Sequence, residues 1–210
     1  MANREPLIQR VADHKDKQNT YAWQMERYHK AMDCGFFYEA FIIDYACLEE
    51  RLRQALYDIG LLQGEYDIDI KVTTPDSKRV KAFRDIVCAY DKKASFSVKG
   101  IKDKRIILTA VIQYAQNSEN SNSDDSIEKA LYQALHDEVR CAEMLTLLGK
   151  IKEWCNYRDE IVHALMNKNV DSLLKEAEQK AEEGHLLFRE LDKHVRWIER
   201  KKIRKALGME

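Results

Sequence analysis

The chain has 210 residues, of which 45% are hydrophobic and 34% charged, with a formal net charge of −1. That length fits one long-helix domain more simply than two small ones, and the apolar share suffices for a sizeable core. A charge so close to zero provides no global field for nucleic acid, so any anion-binding surface must be local.

Only two prolines and seven glycines interrupt the chain, and Ala, Leu, Glu, Lys and Arg dominate it, which is the composition of an all-helical bundle. The five cysteines, Cys34, Cys47, Cys88, Cys141 and Cys155, are odd in number and show no C-x-x-C spacing. They read as reduced thiols, with neither a disulfide frame nor a zinc site. The opening residues from Met1 to Ile8 lack the apolar run of a signal peptide, and no window reaches the roughly 18 apolar residues of a membrane span. A cytoplasmic protein without a membrane anchor is therefore expected.

Residues 1–15 read as a lead-in. A first helix is expected over 16–33, stopped at Gly35. A second runs from about Phe36 to Ile59, with Phe37, Phe41, Tyr45, Leu48, Leu52, Leu56 and Ile59 on one apolar stripe and Gly60 as its stop. The alternation in 67–72 and in 95–98 allows a two-strand ribbon beside a helix at 78–91. A further helix fits 103–116, and the polar run 117–125 reads as a loop. Helical periodicity then continues from Ser126 to Met166, with a bend at Gly149, and a last long helix covers about 171–206. The whole is one domain, 1–210: an antiparallel all-α bundle of four to five main helices with a variable insert at about 60–125.

The segment from Trp154 to Met166 carries the chemistry. With Trp154 set at zero and roughly 100° added per residue, Met144, Leu147, Ile151, Trp154, Ile161, Val162 and Leu165 form one apolar arc. Arg158 falls inside that arc, which predicts a desolvated guanidinium in need of an anionic or hydrogen-bonding partner. Asp159 and His163 lie one turn apart on another side, where the carboxylate can hold and polarise the imidazole. Between Arg158 and His163 runs a weaker apolar strip of Leu148, Cys155, Val162 and Met166. Two copies meeting along that strip across a two-fold axis would bring both Arg158–His163 pairs to one cleft. RNA cleavage needs a base for the 2′-hydroxyl, an acid for the leaving 5′-oxygen, and positive charge on the phosphate. Two histidines from two protomers divide the proton transfers, and arginine contacts the non-bridging oxygens.

Spacing alone is a weak signal, because Arg189 and His194 repeat it on a highly charged segment with no apolar arc. Ten basic residues between 78 and 105, among them Arg84, Lys102 and Arg105, could track an RNA backbone or simply solvate the insert. The basic segment 193–205 contains Trp197 and fits a helix C-terminus, where cations are favoured by the macrodipole. His14, His29, His136 and His185 show no metal-ligand spacing, and no glycine-rich phosphate loop is present.

The run Arg158-Asp159-Glu-Ile-Val-His163 resembles the R-x4-6-H signature of the HEPN superfamily, in which a polar residue commonly follows the arginine. The segment from Tyr45 to Leu56 resembles that family's early helix, and the order of helices is also similar; the resemblance covers about 36–60 and 126–200. It implies a homodimeric, metal-independent endoribonuclease of toxin–antitoxin or phage-defence type that uses no cofactor. Arg158 and His163 would be the catalytic pair and Asp159 the supporting residue, with RNA as substrate and an antitoxin or regulatory protein as a further partner. Family members silenced by nucleotide transfer often carry a tyrosine two residues after the histidine; Leu165 stands there in this chain. A non-catalytic helical module that binds RNA, a nucleotide or a protein is the alternative from a different class.

Overall fold

The computed structural model describes residues 14–62, 78–92, 96, 98–117, 119, 123–164 and 170–209, and within these the side chains of 14, 159–164 and 170–174 are outside the description. Among the described residues the chain is all-helical: α1 His14–Asp33, α2 Phe37–Asp58, α3 Lys78–Tyr90, α4 Ile101–Gln116, α5 Ser126–Leu135, α6 Glu138–Ala164, α7 Val170–Arg200 and the short α8 Ile203–Ala206. Of the expected ribbon, 67–72 and residues 95 and 97 lie outside the described residues, and no strand occurs among the described ones.

Local chemistry explains where the helices stop. At both Gly35 (φ +74°) and Gly60 (φ +86°) the backbone turns left-handed, a conformation that glycine adopts without a Cβ penalty. The following amides then reach back over the helix end, Phe36 N–H to Ala31 O at 2.7 Å and Leu61 N–H to Leu56 O at 3.0 Å. This pattern satisfies carbonyls that a helix end leaves open. The Asp125 carboxylate caps α5 by accepting from the Ile127 and Glu128 amides at 2.8 and 3.2 Å, as N-cap residues do.

Two boundaries differ from expectation. Helicity from Ser126 breaks at 136–137, and Gly149 lies within an uninterrupted α6. At the break, Asp137 Oδ1 accepts from the Arg140 amide at 3.0 Å while His136 Nδ1 meets Ala115 O of α4 at 2.8 Å. A side chain capping the new helix and a ring anchored elsewhere outweigh continuous apolar periodicity. The last helix ends at Arg200, and Lys202 turns left-handed before α8. The α8 residue Arg204 then donates from Nη1 to Tyr57 O and Leu62 O at 3.2 and 2.8 Å and stacks over the Tyr57 ring. Its cation thus serves the C-terminal end of α2.

The core is a closed ring in which α2 packs on α7, α7 on α6, α6 on α4, and α4 on α2, with α1 against α2 and with α3 and α5 against α4. On α2 the fully buried Leu48, Leu52 and Leu56 follow the stripe read from sequence. Pairs such as Lys17–Glu50 and Arg27–Glu39 make α1 antiparallel to α2. By contrast, Asp44–His185 and Arg51–Asp192 advance together along α2 and α7, so these two helices run in the same direction. The α6 helix is buried on two sides, with Cys141, Met144, Leu148 and Ile151 all fully enclosed. No helix among the described residues is long and apolar enough to cross a membrane.

Trp154 locks the centre of this ring. Its indole packs on Phe41 at 4.4 Å between centroids, and Nε1 donates to Lys180 O of α7 at 2.8 Å. Gly184, one turn further along α7, admits it: a Cβ there would lie 2.9 Å from Trp154 Cε2. Gly184→Ala should therefore destabilise the fold by about 1–3 kcal/mol, as overpacking of a filled core does. Urea unfolding followed by far-UV circular dichroism checks this; an unchanged midpoint would contradict the close approach.

Candidate functional site

One turn beyond Trp154, α6 presents Arg158 to solvent. Its Nη1 donates to the Tyr45 hydroxyl at 3.3 Å, and its guanidinium carbon lies 4.8 Å from the centre of the Tyr45 ring. Tyr45 is itself stacked beside Trp154, with centroids 6.3 Å apart. A cation over an aromatic face gains electrostatic stabilisation without losing its charge to a carboxylate. Among the described residues no carboxylate forms an ion pair with Arg158, so its remaining donors face outward.

This exposure corrects the expectation that Arg158 is desolvated within an apolar arc. Trp154, Ile151, Leu147 and Met144 are buried as that arc requires, whereas Arg158 beside Tyr45 is exposed; the side chains of Ile161 and Val162, and Leu165 altogether, lie outside the described residues. A second correction concerns the strip expected to meet another copy. Leu148 is 0% exposed within the chain's own core and is unavailable to a partner, while Cys155 is half-buried. Leu148 is lost to the strip because α6 packs on α4 as well as on α7, so two of its faces are internal. Asp159 and His163 lie on the α6 backbone with side chains outside the described residues, as does that of Val162; Met166 lies outside them altogether. Five residues of helix separate Arg158 from His163 by roughly 7.5 Å of rise and about 140° of rotation.

The neighbouring surface is built by α2 and α4. Glu49, one turn after Tyr45, accepts Lys104 Nζ of α4 at 2.6 Å, which neutralises that buried cation and fixes α4 beside Tyr45. Arg105, next in sequence, is half-buried and has no carboxylate partner among the described residues. Burial pushes its pKa below the usual arginine range, and the Tyr90 phenol and Cys155 thiol that face it act in the opposite direction. The Tyr45 hydroxyl is pushed up, first by burial and next by the Cys155 thiol, with Arg158 opposing.

The other basic segments divide. Between 78 and 105, Lys78, Lys81, Arg84, Lys92, Lys99 and Lys102 are exposed, whereas Lys104 is consumed by Glu49. In the C-terminal segment Trp197 is buried between the Arg140 and Lys201 cations, at 5.7 and 5.4 Å, so that segment serves packing. Arg189 is exposed, and burial lowers the pKa of the half-buried His194, which faces Glu143 and Arg140 of α6. No group of three His, Cys, Asp or Glu able to hold a metal occurs among the described residues, and none of the five cysteines is in a disulfide. No family model matches the chain, and neither a curated protein nor a solved structure matches it.

Sequence reasoning missed one cluster. Asp44 on α2 is 0% exposed, and its nearest partner is His185 Nδ1 of α7 at 3.4 Å, long for a hydrogen bond. The His185 ring stacks on Tyr28 at 4.4 Å and meets His29 edge-on at 5.9 Å, which joins α1 to the pair. The signal was present, because Asp44 falls three residues after Phe41 and four before Leu48, inside the apolar stripe of α2. Burial pushes the Asp44 carboxyl up to about 6 from 3.8, with the His185 hydrogen bond and the His185 and His29 charges opposing.

A folded-state pKa raised above the unfolded value means that the folded chain holds this proton more tightly. The contribution of Asp44 is then fully present below pH 3.8 and is lost as pH rises through about 6. Over that window the stability of the wild type should fall by up to about 3 kcal/mol relative to Asp44→Asn. Chemical denaturation of both proteins at a series of pH values checks this, and parallel profiles would contradict it.

Proposed function

We propose that this chain is a HEPN-like, metal-independent endoribonuclease that works as a homodimer, with Arg158 and His163 as its catalytic pair and Asp159 supporting the histidine. The observation that carries the reading is the seat of Arg158. A guanidinium is held by a tyrosine hydroxyl and ring and opposed by no carboxylate among the described residues, and α6 presents it to solvent. Such a group is prepared to accept two non-bridging phosphate oxygens as a bidentate donor.

The chemistry proposed is an internal transesterification. A histidine base removes the proton of the 2′-hydroxyl, the 2′-oxygen attacks phosphorus, and the 5′-oxygen leaves with a proton delivered by the second histidine. Arg158 stabilises the charge that accumulates on the phosphoryl oxygens. Divergence of Arg158 and His163 around one helix supports a site completed by a second copy. Because Leu148 is internal, the pairing we infer uses the last turns of α6, from Cys155 onward. A toxin or phage-defence role in the cytoplasm, held in check by a partner protein, accords with an activity that would damage host RNA.

In EDTA, the wild-type protein should cleave single-stranded RNA. Arg158→Ala should lower kcat by about 10²–10³-fold, and His163→Ala by about 10²–10⁴-fold, while both stay folded by circular dichroism. Gel analysis of end-labelled RNA reads the result. Cleavage at the wild-type rate by both variants would overturn the assignment; binding without any cleavage by the wild type would favour a non-catalytic RNA-binding module.

A further inference from the structure

We propose that the outward face of α3 is a track for an RNA strand, on which Lys78, Lys81 and Arg84 take neighbouring phosphates while the Phe96 ring steadies the Arg84 guanidinium. This goes beyond the cleavage chemistry assigned to Arg158 and stands on separate residues.

The arginines that lie over aromatic rings divide by what else they touch. Arg27, Arg51 and Arg140 lie over Trp23, Tyr21 and Trp197, and each also meets a carboxylate, of Glu39, Asp192 and Asp137 respectively. Arg204 lies over Tyr57 and donates to main-chain carbonyls. The fold uses those four cations for its own packing. Arg84 lies 5.8 Å from the centre of the Phe96 ring. Like Arg158 over Tyr45, it is exposed and meets no carboxylate among the described residues. A ring face holds a guanidinium while leaving its charge and its donors to a ligand.

Arg84 is the last of a row. On α3 the buried residues Val80, Ala82, Phe83, Ile86 and Val87 mark the side toward the core. Lys78, Lys81 and Arg84 fall on the other side, within about 120° of one another, and each step rises roughly 4.5 Å. All three are exposed, and none forms an ion pair among the described residues. Asp85, the single acid of the helix, is exposed and equally unpaired there, so three cations face one carboxylate. Arg79 takes no part, since its Nη1 meets Met209 Sδ at 3.4 Å. In a chain of formal net charge −1, this surplus is local to one face.

The row winds round the helix by about 60° per step, a course that a flexible strand can follow with long cationic side chains. Each phosphate so neutralised releases condensed counterions, which drives binding without regard to base sequence. A bilayer is the other extended polyanion that a basic helix meets, but it requires large apolar side chains beside the cations. This face offers Asp85, Cys88 and Ala89 instead.

The test is fluorescence anisotropy of the full chain with a fluorescein-labelled 2′-O-methyl oligouridylate, which lacks the hydroxyl needed for cleavage, over a series of salt concentrations. The variant carrying Lys78→Gln, Lys81→Gln and Arg84→Gln together should bind at least about tenfold more weakly than the wild type at low salt. Its plot of log affinity against log salt should be shallower by about 2, near 0.7 for each phosphate contact removed. Lys78→Arg, Lys81→Arg and Arg84→Lys together keep the charges and should keep the slope. Phe96→Leu should weaken binding a few-fold, and unchanged affinity there would overturn the part given to the ring. Equal affinity and slope in the wild type and the glutamine variant would overturn the track. So would a wild type that binds no oligonucleotide, or one that binds only vesicles rich in phosphatidylserine. Cleavage by Arg158→Ala at the wild-type rate would remove the nuclease reading and leave the track in place, so the two fail separately. Melting curves of each variant separate loss of contact from loss of fold.

Discussion

The indole of Trp154 fixes everything that matters at the site. It fills the gap left by the missing Cβ of Gly184, donates to a main-chain carbonyl of α7, and packs on Phe41 and Tyr45 of α2. Those contacts set the rotation of α6 relative to both neighbours. Given that rotation, the residue one turn later must emerge beside Tyr45, and Arg158 does so. A buried aromatic with a satisfied N–H is a strong positional constraint, because sliding it by even a fraction of a turn leaves both a void and an orphaned donor. The outward presentation of the guanidinium is thus a consequence of core packing.

The same edge of α2 performs two tasks with neighbouring turns. Tyr45 supports a cation that keeps its donors available, while Glu49 quenches one that would otherwise be buried alone. The difference lies in what each partner takes. A phenol offers one acceptor and a negative ring face and leaves the arginine charged toward solvent. A carboxylate at 2.6 Å removes the charge from the surface. Elsewhere the fold uses arginines for structure, as Arg204 does against the end of α2 and Arg51 against Asp192 of α7. Arg158 stands apart from this usage.

Much of the scaffold was legible in the sequence because it follows from spacing and punctuation. The α2 stripe through Phe41, Leu48, Leu52 and Leu56 is core as its periodicity demands, and Gly35 and Gly60 stop helices where left-handed backbone is needed. Periodicity failed where a helix touches two neighbours at once. Between α4 and α7, α6 has two internal faces, so Leu148 read as a free strip and Arg158 as enclosed. The break before α6 was invisible to a count of apolar residues, because Asp137 and His136 act through single hydrogen bonds. Asp44 is hidden for the opposite reason: a single carboxylate within an apolar stripe leaves the periodicity of the stripe intact. At the site itself, sequence named Arg158 but could not supply Tyr45 as its setting, since that contact joins α2 and α6 across the fold.

The central claim is that an exposed, tyrosine-seated guanidinium and a histidine perform metal-free transesterification of RNA. The ends of the RNA fragments report on that chemistry directly. Mass spectrometry of products formed in EDTA should find 2′,3′-cyclic phosphate on the upstream fragment and a free 5′-hydroxyl on the downstream one. Fragments carrying 5′-phosphate and 3′-hydroxyl, or RNA left intact under all conditions, would contradict the account.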